Sequence, residues 1–148
     1  MAAEISGEEF RAYAALIASS TLLQRAVEKN LQEQAGLTQV QFEILMNLSN
    51  AGDSGMCMAQ FADVFIVSCS GLSYQVAQLE SRGWITRQRS DDDERGVVAR
   101  ITTKGQRMRQ RVFAGHVDIV RNAFLDAIQP GELETLTVAL ERVVGRLR

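Results

Sequence analysis

One proline, one histidine, two cysteines and six per cent aromatic residues are all that this 148-residue chain holds of these types, and each scarcity excludes something. With a single proline, helices meet few breaks, and long stretches keep a helical spacing of apolar residues; the chain reads as mostly α. Cys57 and Cys69 alone make no disulfide framework, which fits a reducing cytoplasm. His116, the sole histidine, stands far in sequence from both cysteines, so a zinc or catalytic cluster is poorly supported, and a surface or partly buried structural histidine is the preferred reading. No apolar run approaches the ~20 residues that cross a bilayer. The first ten residues, MAAEISGEEF, lack a basic region followed by an apolar core and do not read as a signal peptide. Nucleophile motifs, glycine-rich phosphate loops, internal repeats and low-complexity segments are missing too. The expectation is a single domain, not an enzyme, with no cofactor and no metal.

Positive charge is also missing over a long stretch: no Lys or Arg occurs between Lys29 and Arg82. Residues 1–81 carry three basic and nine acidic side chains, residues 82–111 nine and four, and residues 112–148 four and five. More than half of all cations fall in thirty residues. A nucleic-acid-facing surface is the preferred reading of that cluster over a merely solvated face.

What is present is organised around Met58–Thr102. Ser68 is a candidate N-cap with Val67 and Leu72 as its staple, and Leu72, Val76 and Leu79 form one buried stripe at helical spacing. Ser70, Tyr74 and Ala77 fall on the opposite face, with Ser73 and Gln78 at its edges. Gly83 stops this helix, and Trp84-Ile85-Thr86 has strand character. A charged tip, Ser90 to Gly96, then leads to a returning strand, Val97–Ile101. Ala59–Phe65 is the preceding helix, without an obvious cap, and Met56-Cys57-Met58 is compatible with a small third strand. A helix pair followed by a hairpin is the layout of a winged helix-turn-helix.

Around this motif lie longer helices. Ser6 and Glu9 make a capping box for a helix from Gly7 to Gln34, with Tyr13, Leu16, Leu23, Val27 and Leu31 in its stripe. A helix that long in so small a chain has more apolar surface than one protomer can bury. Thr38 and Gln41 form a second box, with Leu37 and Phe42 as staple, for a helix to about Leu48 that buries Phe42, Leu45 and Leu48. Thr102 or Thr103 caps a long helix carried by Met108, Val112, Ile119, Val120 and Phe124. Pro130, at a first helical position, opens the last helix. There Leu133, Leu136, Leu140, Val143 and Leu147 make a two-heptad seam that calls for another helix.

The sequence resembles the MarR family of transcriptional regulators. The resemblance rests on Leu37-Thr38-x-x-Gln41-Phe42, Phe61-Ala62, Ser68, Leu79-Glu80-x-Arg82-Gly83-Trp84-Ile85, Asp93-Glu94-Arg95 and Ile101-Thr102-x-x-Gly105. It implies a homodimer held by residues 1–36 and 104–148, with 37–103 as the winged lobe, binding double-stranded DNA as a repressor at a pseudo-palindromic operator and released by a small aromatic or phenolic effector. By position, Ser70, Ser73 and Tyr74 face the major groove, Arg95 enters the minor groove and Asp93 orients it. Ser68, Gln78, Arg82, Arg87 and Arg89 complete the candidate DNA-contacting set, with Asp91, Asp92 and Glu94 turned outward or paired with Arg87 and Arg89. Tyr13, Ile17, Phe42, Met46, Met108 and Val112 are candidate walls of an effector crevice, and each is more often ordinary core. The chain departs from the family in carrying no cation on the recognition helix, where positions matching Cys69 and Tyr74 are commonly basic. Ile66 also replaces a frequent turn glycine.

Cys69 at the helix start admits a redox-switch reading, because free N–H groups there favour a thiolate. A small residue tolerated at that place is the preferred one. The recognition helix without a cation supports a rival to the regulator: a dimeric ligand-binding or interaction protein that kept the fold and lost specific DNA reading.

Overall fold

The computed structural model describes residues 4–65, 69–91 and 96–148, with the backbone alone at Cys69 and Ser70. Six helices are described, α1 Gly7–Ala35, α2 Gln39–Ala51, α3 Met58–Val64, α4 Cys69–Ser81, α5 Thr103–Ala123 and α6 Glu132–Leu147. Three short strands, β1 Met56–Cys57, β2 Ile85–Arg89 and β3 Val97–Ile101, accompany them. The chain divides into two compact units, one of residues 24–116 and one of residues 1–23 with 117–148. The winged unit therefore takes in the end of α1 and the start of α5, which the sequence boundaries put with the dimerisation helices.

In the winged unit the sheet order is β1-β3-β2, antiparallel throughout. β2 and β3 pair from Ile85 with Ile101 out to Arg89 with Val97, and Met56 and Cys57 pair with Ala99 and Val98. The small third strand is thus present. Gly55 makes this approach feasible: its φ is +64°, and a Cβ there would collide with the Ala99 carbonyl.

Side-chain chemistry sets the helix starts. Thr38 Oγ1 accepts from Gln41 N at 3.1 Å, and Gln41 Oε1 accepts from Thr38 N at 3.1 Å, so both bonds of the α2 capping box are made. At α3 the missing cap is answered by Gln60, whose Oε1 accepts from Cys57 N at 2.8 Å. α3 accordingly begins at Met58 and ends at Val64, one residue earlier at each end than the sequence spacing suggests. The expected Ser68 cap and Val67 staple of α4 lie outside the described residues.

Of the two candidate caps for α5, Thr102 serves. Its Oγ1 accepts from Gly105 N at 3.0 Å and donates to the Gly83 carbonyl at 2.7 Å. The Thr102 amide donates to the Trp84 carbonyl at 3.0 Å. Gly105 sits over that same carbonyl, where a Cβ would overlap it. The Thr102-x-x-Gly105 pattern therefore joins α5 to the turn between α4 and β2.

The core belongs to the winged unit. Leu31, Leu37, Ile44, Leu45, Leu48, Phe61, Val76, Leu79 and Val112 are fully buried, with Phe42, Leu72 and Trp84 close behind. Among the described residues, every buried apolar side chain lies between Val27 and Val112. The other unit has none, and Phe10, Tyr13, Ile17, Leu22, Leu133, Val143, Val144 and Leu147 are exposed. The α1 stripe is thus split: Val27 and Leu31 are covered, while Tyr13 and Leu16 are open.

Other boundaries differ from expectation as well: α1 ends at Ala35, one residue later, and α2 runs on to Ala51. α5 stops at Ala123, so Phe124 falls in the following turn. α6 begins at Glu132, because Gly131 has φ +90° and cannot be a helical position. Pro130 is consequently a turn residue. Gln129 N donates to Glu132 Oε2 at 2.8 Å, giving α6 its cap from the side chain of its own first residue.

Candidate nucleic-acid interface

The helix pair and the hairpin come together as one surface. α4 buries Leu72, Val76 and Leu79 against the core, as its spacing implies. Tyr74 is 62% exposed on the other face, Ser73 and Ser81 are open, and Gln78 is half-buried. Ser73 also borders a small apolar hollow with Met58, Ala59, Ala62 and Leu72. Ser70's backbone is in the first turn of α4; its side chain, like Ser68, Asp93 and Arg95, is outside the described set. α4 is held from behind by Gln41, buried on α2, whose Nε2 donates to Gln75 Oε1 at 2.8 Å.

The cations of residues 82–111 have specific partners. Arg82 Nη1 donates to the carbonyls of Gly36 at 3.0 Å and Ala35 at 3.4 Å, and its guanidinium stacks on Trp84, 4.7 Å from the ring centroid. Arg87 forks onto Glu80, with Nη2 2.9 Å from Oε1 and Nε 3.3 Å from Oε2. That pairing, not one with Asp91, holds the Glu80 carboxyl below its usual range and pushes the Arg87 guanidinium up. Arg100 Nε donates to the Asp53 carbonyl at 2.7 Å, Lys104 Nζ to the Arg82 carbonyl at 3.0 Å, and Arg111 Nη2 to the Gln34 carbonyl at 2.6 Å. Arg109 bonds Gln106 and lies over Phe113. The side chains of Arg89 and Arg107 are exposed and make no bond with a described residue. Four of the nine cations thus cap backbone carbonyls, and Arg87 and Arg109 are held by side-chain oxygens. The sequence alone could not reveal this, because most of these partners lie 19 or more residues away.

Of the crevice candidates, Phe42 and Val112 are buried in the winged unit, and Met46 and Met108 are half-buried there. Tyr13 and Ile17 are exposed on the other unit, on an apolar face of α1 shared with Phe10 and Leu22. His116 packs its ring 4.8 Å from that of Phe42, and burial lowers its pKa against an opposing pull from Glu43. Its Nδ1 and the Oδ1 of Asn30 are both buried without a hydrogen-bond partner among the described residues. No group of three metal-ligating side chains occurs among the described residues.

Residues 37–97 match the model of the MarR family. Over its whole length the chain superposes on Sco3205 of Streptomyces coelicolor, a MarR family regulator solved in complex with DNA, with a TM-score of 0.94, 30% identity and 92% of that chain covered. AbsC, a MarR family transcriptional regulator from the same organism, is 33% identical with a TM-score of 0.89, covering 98% of this chain and 97% of AbsC. The chain belongs to the MarR family. The regulator MhqR of Bacillus subtilis is 28% identical over 108 residues, covering 73% of this chain and 72% of its own. As a MarR-family protein the chain is a transcriptional regulator with a winged helix, not an enzyme. No helix of the described residues is long and apolar enough to cross a membrane. Trp84, Thr102 and Gly105, which carried the resemblance, are the residues that lock α4, the hairpin and α5 together.

Proposed function

We propose that the protein is a homodimeric, ligand-responsive repressor that binds a pseudo-palindromic operator in the cytoplasm. The observation that carries this reading is the full-length likeness to a relative solved on DNA, together with the open α4 face beside the hairpin. Dimerisation is supported by the unit of residues 1–23 and 117–148, whose apolar side chains have no core within one chain. Two-fold symmetry would then set the α4 helices about one DNA turn, ~34–36 Å, apart. On each lobe Ser70, Ser73 and Tyr74 would meet the major groove, with Ser68 and Gln78 at the edges. Arg89 and Arg95, the latter oriented by Asp93, would carry the hairpin's approach to the minor groove. A small aromatic or phenolic effector would release DNA by changing the separation of the lobes.

A second reading is favoured by an α4 without Lys or Arg and by the internal use of most nearby cations: a dimeric ligand-binding or interaction protein without specific DNA reading. A gel shift against the DNA upstream of the protein's own gene, at low and moderate salt, separates the two. Specific binding weakened by Arg95→Ala supports the repressor. Sequence-blind binding that salt erases and Arg95→Ala leaves alone supports the rival. The lesser redox reading is tested by comparing peroxide and reductant in the wild type and Cys69→Ser; an equal response in both eliminates it.

A further inference from the structure

α1 ends without a basic residue in its last turn, yet its terminal carbonyls are nearly all engaged. Gln32 O accepts from Gly36 N at 2.9 Å and Leu31 O from Leu37 N at 3.2 Å. The next carbonyls are taken by two arginines from elsewhere: Arg111 of α5 at Gln34, and Arg82 at Ala35 and Gly36. Both place a cation at the negative end of the helix dipole. Gly36 keeps the place open, since at φ +61° a Cβ there would come within 3.2 Å of Arg82 Nη2.

The two caps differ in what they attach. Arg111 ties α1 to α5. Arg82 follows the last residue of α4 directly, so its guanidinium fixes the C-terminal end of the recognition helix onto α1. The indole of Trp84 supports the guanidinium face, and Lys104 holds the Arg82 carbonyl. A planar fork that reaches two carbonyls and stacks on a ring has a defined orientation, which an ammonium could not reproduce.

We propose that Arg82 is a positioning residue for DNA recognition: it holds the end of α4 on the end of α1, and thereby sets the separation at which the two α4 helices of a dimer meet successive half-sites. It does so without contacting phosphate. This role rests on the reading of the chain as a dimeric DNA-binding regulator.

The test selects duplexes from a random pool with the wild-type protein. Affinity is then measured at several salt concentrations for the selected duplex and for versions with one base pair added or removed between half-sites. The wild type should lose about tenfold or more on the altered spacings. Arg82→Gln should reduce that preference to about threefold or less, at an unchanged salt slope. Arg82→Lys should restore part of it, and Arg111→Gln, which removes the other cap, should keep all of it. Should Arg82→Gln not fold, as read from Trp84 fluorescence, Arg82→Lys carries the test with a partly relaxed preference. A salt slope about one unit shallower in Arg82→Gln with spacing preference intact would make Arg82 a phosphate contact and overturn the proposal. Loss of stability with both readouts unchanged would overturn it as well. A wild type that selects no common sequence would remove the DNA-reading role on which the proposal rests.

Discussion

Thr102→Val isolates one joint of the winged unit. The replacement keeps the branched shape and removes the hydroxyl that accepts from Gly105 N at 3.0 Å and donates to Gly83 O at 2.7 Å. Losing an N-cap acceptor costs about 1 kcal/mol, within a range of roughly 0.5–2. Losing the second bond adds roughly 0.5–1.5 kcal/mol. The two together give about 2 kcal/mol, or about 4–8 °C in melting midpoint for a chain of this size. Trp84 is the only tryptophan and is 6% exposed, and its carbonyl takes the Thr102 amide, so its fluorescence reports melting where the change is made. Thermal melts at one fixed protein concentration avoid any mass-action effect of association. Thr103→Val is the matched control: Thr103 is exposed at the first position of α5 and should shift the midpoint by less than about 0.5 kcal/mol equivalent. Equal shifts for the two variants, or none for Thr102→Val, would refute the assignment of Thr102 as the joint.

Burial lowers the His116 pKa, so the unfolded chain binds more protons below about pH 6.5 and stability falls as pH drops through and below that value. Urea midpoints at pH 7.5 and 5.5 should differ more in the wild type than in His116→Leu, and equal differences would remove His116 as the cause. Glu80→Gln breaks a partly exposed pair and should cost less than about 1 kcal/mol by urea unfolding. Gly105→Ala drives a methyl into the Trp84 carbonyl and should cost roughly 1–3 kcal/mol in the same assay. Leu140→Arg places a charge in the apolar α6 seam and should convert a dimer to monomer in light scattering, whereas an unchanged mass would argue against that interface.

Much of the local chemistry within one turn was legible in the sequence, although the Gln60 cap of Cys57 N and the Glu132 cap of Gln129 N were not. The Thr38–Gln41 box, the Ser6–Glu9 box and the Leu72, Val76, Leu79 stripe needed nothing beyond three- and four-residue spacing. Reading failed where tertiary partners decide. Gln41 looks like a capping residue alone, yet its side chain also reaches Gln75 from a buried position. Pro130 resembles a helix start, but Gly131 at φ +90° moves the start to Glu132. Arg82, Arg87, Arg100, Lys104 and Arg111 look like a surface until their acceptors are located.

That relocation of charge has a measurable consequence for DNA binding. If all nine cations of residues 82–111 met phosphate in both protomers, the logarithmic salt slope would approach about −16. Six of them, Arg82, Arg87, Arg100, Lys104, Arg109 and Arg111, already bind carbonyls, a carboxylate or an aromatic face. Among the described residues Arg89 and Arg107 are left, and α4 adds no cation. With Arg95 counted as the proposed minor-groove contact, three cations per protomer would limit the slope to about −5. On the proposed reading, such a regulator would hold its operator with less help from counterion release, so hydroxyls, the tyrosine of α4 and half-site spacing would supply more of its discrimination. A titration from low to moderate salt that returned a slope steeper than about −10 would mean that the carbonyl-bound cations contact phosphate too, and would reverse that division of labour.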